Sequence, residues 1–219
     1  MRPAVSSTTS TRALALGSLA IVAVCTAVPA QAQTPYVRLS ASYVTPADKS
    51  DPAAFPPPFP PAPADAFKLD DKTAIEIAGG LFVTENFAVE LAYQIGQRHT
   101  ATLTQPPLGQ VGSFVVSAAL LTAQYHVMPK ATFSPFVGAG VAYTRFAEQT
   151  ITQPGVNVEG NDTSWTVLGG VNFRLADAWM LTGQVRYQRA SIDLRQFGQR
   201  LTTLHFDPLT WSLGVGYRF

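Results

Sequence analysis

The chain has 219 residues, with 15 Lys and Arg against 14 Asp and Glu and a formal net charge of +1, a balance that excludes a partner gathered by bulk charge, nucleic acid above all. Only 13% of the residues are charged while 47% are hydrophobic, whereas a water-covered domain carries about 25% charged residues. No stretch after Ala32 stays apolar for the roughly 20 residues that a membrane helix needs, so the one way left to span a bilayer is a closed barrel of strands, which pairs every backbone group internally.

In chain order, residues 1–32 come first: Arg2 and Arg12, an apolar run over 13–30, and the small-x-small site Ala30-Gln31-Ala32. That pattern predicts a secretory signal peptide removed before Gln33. The only cysteine, Cys25, lies within it, and bulky Val24 before it argues against lipid attachment. Residues 33–219 then form a single domain without thiol or disulfide.

Period-two alternation bounded by Gly, Pro, Asn and Asp predicts eight strands, over 36–45, 73–83, 87–96, 114–127, 135–146, 164–175, 179–190 and 204–219. The connections at 84–86, 128–134 and 176–178 are short and the rest long, with 46–72 a proline-rich loop. An antiparallel up-and-down transmembrane β-barrel has this asymmetry, short periplasmic turns facing long outer loops.

One phase of the fifth and eighth strands is small: Gly138, Gly140, Ala142 and Thr144, then Thr210, Ser212, Gly214 and Gly216. Such residues suit the cramped lumen of an eight-stranded barrel. The other phase, with Leu39, Tyr43, Phe87, Leu91, Trp211 and Leu213, suits lipid. Lys49, Lys68, Lys72 and Lys130 all fall in predicted connections. Tyr36, Tyr125, Trp165, Trp179, Trp211 and Tyr217 stand near strand ends, where amphipathic rings favour a membrane interface.

The inward phase also holds Arg38, Glu76, Glu90, His126, Arg174, Arg186 and Arg218. Charges in a narrow lumen cost several kcal/mol each unless paired, so Glu90 is expected to meet Arg38 or Arg218, and Glu76 to meet Arg186. Such a cluster is either an ionic plug that gates the barrel or a static polar core. Inward Leu120, Phe136, Leu168 and Met180 would supply apolar contacts. In the first loop, the run from Phe55 to Pro61 should be extended polyproline II, with Phe55 and Phe59 walling an apolar funnel or simply exposed. Three histidines, His99, His126 and His205, lack metal-ligand spacing and no nucleophile motif is present. No cofactor, metal site or catalytic residue is expected.

Segments in a fixed order carry a family resemblance: Val37-Arg38 through Tyr43-Val44-Thr45-Pro46-Ala47-Asp48, then Asn86-Phe87-Ala88-Val89-Glu90-Leu91, Gln124-Tyr125-His126, the run from Pro135 to Thr144, Phe206-Asp207-Pro208, and the close Gly214-Val215-Gly216-Tyr217-Arg218-Phe219. Along nearly the whole mature chain the sequence resembles the OmpW family of outer-membrane proteins. The resemblance implies an eight-stranded barrel in the bacterial outer membrane, among lipid and lipopolysaccharide, with a narrow apolar lumen that admits small hydrophobic molecules. It also implies that Phe219, with Tyr217 and Val215 in phase, is recognised by the barrel-assembly machinery. The third strand departs from the family at Ile95-Gly96-Gln97-Arg98-His99, as does the proline-rich insert. Passive passage or binding of a small hydrophobic ligand is the first expectation. A sealed structural or surface-interaction barrel is the second, and a lipid-modifying enzyme the third.

Overall fold

The computed structural model describes residues 34–47, 49–52, 61–104, 107, 109–151, 156–159, 161–196 and 199–219. The predicted signal peptide and Phe55 and Phe59 lie outside them. In chain order the strands are β1 (Thr34–Thr45), β2 (Lys49–Ser50), β3 (Phe67–Leu69), β4 (Lys72–Phe82), β5 (Phe87–Leu103), β6 (Gly109–His126), β7 (Phe133–Ile151), β8 (Val156–Glu159), β9 (Asn161–Arg174), β10 (Trp179–Gln188), β11 (Ser191–Gln196), β12 (Gln199–His205) and β13 (Leu209–Arg218).

Eight of these close a barrel. Strands β5, β4, β1, β13, β10, β9, β7 and β6 are neighbours in that order, and β5 pairs again with β6. Every pairing is antiparallel, and first strand meets last in unbroken register from Tyr36 opposite Arg218 to Thr45 opposite Leu209. Closure leaves the cylinder no free edge, as a lipid environment demands.

Alternation along each strand decides what faces where. On β1, Val37, Leu39 and Tyr43 point out while Arg38, Ser40 and Ser42 are buried. Leu39 is 58% exposed and Leu213 60%, whereas Glu76 is fully buried. That inversion of a water-soluble protein identifies hydrocarbon as the medium around the cylinder. Ring pairs mark the two interfaces: Trp179 with Tyr217 and Phe87 with Tyr125 at the short-turn end, Trp165 with Tyr187 toward the long loops. Small inward residues let the walls close; a Cβ on Gly170 would stand 2.6 Å from the Phe136 ring, and one on Gly140 would run into the Leu121 carbonyl.

Strands β5, β6 and β7 reach 17, 18 and 19 residues, well beyond the roughly 9–11 that cross a bilayer, so their upper parts stand clear of it. There β2, β12, β11 and β8 form a second, four-stranded sheet. Three expectations change accordingly. The predicted strand over 204–219 is interrupted, because Asp207 takes a positive φ of 26° and Pro208 has no N–H, so β12 ends at His205 and β13 starts at Leu209. The loop over 46–72 contains β2 and β3. Lys49, Lys68 and Lys72 therefore lie in strands, though at or beyond the rim.

Candidate functional site

The lumen is filled in layers. At mid-height, side chains from four strands meet in one network. Arg38 of β1 donates through Nη2 to Glu90 Oε1 at 2.8 Å and to Glu76 Oε1 at 3.4 Å. From the far wall, Arg186 of β10 donates through Nη1 to Glu76 Oε2 at 2.6 Å and through Nη2 to Gln94 Oε1 at 3.0 Å. The Tyr36 hydroxyl donates to the other Glu90 oxygen at 2.7 Å. Two acids and two bases cancel in charge, and all four side chains are at most 3% exposed. Charge-assisted bonds of this length offset the cost of removing ions from water only when each partner is present.

Above this layer the lumen turns apolar. Val44, Ala74, Ala101, Leu103, Phe114, Val116, Phe146, Ala190 and Phe206 pack together, joined from the first loop by Ala62, Ala66 and Phe67. Phe146 stands between Phe114 and Phe206, with centroids 6.1 and 6.5 Å away. The loop segment lies across this chamber as a lid. Phe67, Lys68 and Leu69 pair with Leu103, Thr102 and Ala101, and the Thr104 amide and hydroxyl both donate to the Ala66 carbonyl at 2.9 Å.

Asp70 pins the lid above the membrane. Its Oδ1 accepts the Thr100 amide at 2.7 Å, its Oδ2 meets Lys72 Nζ at 2.6 Å, and its carbonyl lies 3.0 Å from His99 Nδ1. Burial pushes the Asp70 carboxyl up, but the Lys72 ammonium, the Thr100 amide and the neighbouring charges outweigh it and hold it below its ordinary value. His99, packed edge-on to Phe206, is held below the usual histidine value, by burial first; Asp70 only partly opposes the shift.

Below the ionic layer, Tyr36, Phe82, Ala88 and Met180 cluster. His126 stacks on Phe136 at 4.9 Å and contacts Phe82 at 4.8 Å.

Arg38, Glu76, Glu90 and Arg186 thus share one network, while His126 and Arg218 lie beneath it. Arg218 places its guanidinium 4.6 Å over the Phe82 ring and meets neither glutamate. Arg174 is not in the lumen. The inward phase of β9 ends at Asn172, and Arg174 emerges exposed where the chain turns, donating to the Pro129 carbonyl at 3.2 Å. Leu120, Phe136, Leu168 and Met180 are all buried but are divided: Leu120 packs in an alanine layer with Ala78, Ala92, Ala118 and Ala142, whereas Met180 lies in the lower cluster. Val215 and Phe219 point outward, and Tyr217 bridges Trp179 and Phe219 with centroids 5.1 Å from each. Among the described residues no group of His, Cys, Asp and Glu could hold a metal ion.

Sequence reasoning placed Tyr36 in the lipid belt, yet it is inward; its parity with Arg38 was the available signal. Gln94 was findable in the same way from Glu90. Phe67 carried no signal, since a three-residue strand in a loop has no periodicity to detect.

A closed eight-stranded cylinder with hydrocarbon-facing walls, aromatic belts and a polar interior defines an integral outer-membrane barrel. The chain belongs to the outer membrane protein beta-barrel domain family, whose model matches residues 16–219, and is a barrel of the OmpW type. It is 24% identical over 169 residues to outer membrane protein W of Vibrio cholerae, covering 69% of this chain and 76% of the relative. Outer membrane protein AlkL of Ectopseudomonas oleovorans is 26% identical over 164 residues, covering 69% and 68%. The crystal structure of OprG from Pseudomonas aeruginosa matches with a TM-score of 0.71 at 18% identity, over 86% of this chain and 96% of that one. The protein resides in the bacterial outer membrane.

Proposed function

We propose that the barrel receives small hydrophobic molecules at its outer end and that the ionic layer beneath bars water and ions. The observation that carries this is the stacking of an aromatic chamber directly over a charge-neutral network spanning the lumen. An apolar solute gains favourable transfer free energy in that chamber, about 25 cal/mol per Å² of apolar surface withdrawn from water. An ion gains nothing there and meets the buried ion pairs of Arg38, Glu76, Glu90 and Arg186 below. Phe67 fills the place such a solute would take, so uptake needs the lid to lift. Onward passage needs the contact between Arg38 and Glu90 to part.

A second reading, a sealed barrel whose outer loops do the work, is favoured by the continuity of contacts from the lid to the ionic layer. Liposomes carrying the protein, supplied with a hydrophobic dye, separate the two. The proposed function expects dye uptake above that of liposomes with denatured protein, together with no ion conductance. Uptake equal to the denatured control would leave the sealed barrel.

A further inference from the structure

The short-turn end of the lumen, remote from the proposed chamber, carries a second assembly of polar groups. A pocket of about 230 Å³ opens there, lined by Arg174, Arg218, Lys130 and Glu85 together with Phe82 and Thr84. Above it a smaller cavity of about 20 Å³ is shared by the same two arginines with Ser134, Asn172 and Trp179. Ser134 is only 4% exposed, and its hydroxyl has no hydrogen-bond partner.

The charges are arranged to receive an anion. Among the described residues neither arginine forms an ion pair: Arg218 lies over the Phe82 ring and Arg174 donates to the Pro129 carbonyl. Of the acids nearby, Glu85 is taken by Lys130 at 2.8 Å. Asp177 lines only the smaller cavity. Two guanidiniums side by side repel each other. An oxyanion between them relieves that repulsion, since guanidinium groups present parallel donors that match phosphate oxygens.

Depth identifies the source of the anion. Trp179 lines the smaller cavity, and its ring pairs with Tyr217, itself in contact with Phe219, in the belt that marks the lower membrane interface. The pocket therefore opens at the level of lipid headgroups. On the outer face of β13, the strand that carries Arg218, Val215 and Leu213 offer an apolar track for acyl chains.

We infer that the periplasmic mouth of the barrel is a phosphate site, formed by Arg174 and Arg218 in the larger pocket, and that its occupant is the headgroup phosphodiester of an inner-leaflet phospholipid. Arg174 and Arg218 bind the charged oxygens.

Native mass spectrometry of the refolded barrel in detergent tests this, with dioleoyl phosphatidylglycerol, dioleoylglycerol and inorganic phosphate as probes. One phosphatidylglycerol is expected to remain per barrel, with dioleoylglycerol not retained. The double variant Arg174→Ala and Arg218→Ala should weaken retention by about tenfold or more. Because Arg218 precedes the terminal residue, folding of each variant is checked by heat-dependent gel mobility. Arg174→Ala alone, at an exposed strand end, should still weaken retention about threefold if the double variant does not fold. Competition by inorganic phosphate supports the shared phosphate chemistry. Retention of phosphate without lipid would overturn the lipid assignment, and equal retention of phosphatidylglycerol by wild type and Arg174→Ala would overturn the site.

Discussion

Glu76 accepts from two arginines on opposite sides of the lumen, at 3.4 and 2.6 Å. Replacing it by Gln leaves both guanidiniums buried with half their compensation, and removal of one partner from such a network costs about 3–5 kcal/mol. Urea unfolding in detergent micelles should show a loss of that size for Glu76→Gln. Glu90 holds Tyr36 and Arg38, so Glu90→Ala should open a path for ions, read as single-channel conductance absent from the wild type. Unchanged conductance would mean the layer is a static core and not a gate. These charged positions were legible from parity and from the cost of burying them. Tyr36 was not, because an aromatic ring at a strand end fits a membrane belt as well as a lumen.

At the rim, two titrating groups act in the same direction. His99 is held below its ordinary value of about 6.5 by burial. A released His99 therefore takes up a proton where the packed one does not, and the lid loses stability as pH falls below about 6.5. Asp70 is held below its ordinary carboxylate value of about 3.9, so its contribution is present above that pH and is lost as pH falls through the lower, folded value. The protection of the Thr100 amide, bonded to Asp70, against hydrogen exchange, taken relative to the intrinsic rate at each pH, should fall on acidification below about pH 6.5 and stay flat on the alkaline side.

Among the elements, the pairing of β3 with β5 holds Phe67 in the apolar cluster, and in the proposed function its release opens the outer chamber. Lys68 lies opposite Thr102 and is exposed, so cysteines at both positions can be bridged without entering the core. The oxidised Lys68→Cys, Thr102→Cys protein should take up no hydrophobic dye, with uptake returning on reduction; uptake in both states would exclude lid motion. The sequence ended the third strand at 96 for a physical reason. The pairing of β5 with β6 shifts register between Gln94 and Gln97, and this irregularity moves the inward phase from Glu90, Ala92 and Gln94 to His99, Ala101 and Leu103. A period-two pattern that changes parity looks like a strand that stops.

At the scale of the whole molecule, β1 and β13 seal the cylinder along ten residue pairs. The lower belt ends that seam with Tyr217 and Phe219 in contact. If the C-terminus is the segment recognised during assembly, loss of Phe219 is tolerated in detergent refolding but not in cells. Deleting it is expected to lower recovery in the outer membrane several-fold while the purified barrel still refolds, measured by fractionation and by heat-dependent gel mobility. Equal recovery with and without Phe219 would remove that role.

By itself the sequence determined the cylinder. Eight alternating segments, small residues on one phase and large apolar ones on the other are local properties, because a strand's side chains alternate faces whatever lies beyond them. Parity also marked Arg38, Glu76, Glu90, His126, Arg186 and Arg218 as inward, but it misplaced Arg174 and missed His99, since parity holds only until a strand leaves the wall or shifts register. Only the tertiary structure decided who meets whom across the lumen. Strand tilt brings Arg186 to Glu76 over 110 positions of chain, folds Phe67 into the chamber and leaves Arg218 beside Arg174 at the periplasmic mouth. Those contacts depend on barrel closure and stagger, which no single strand encodes.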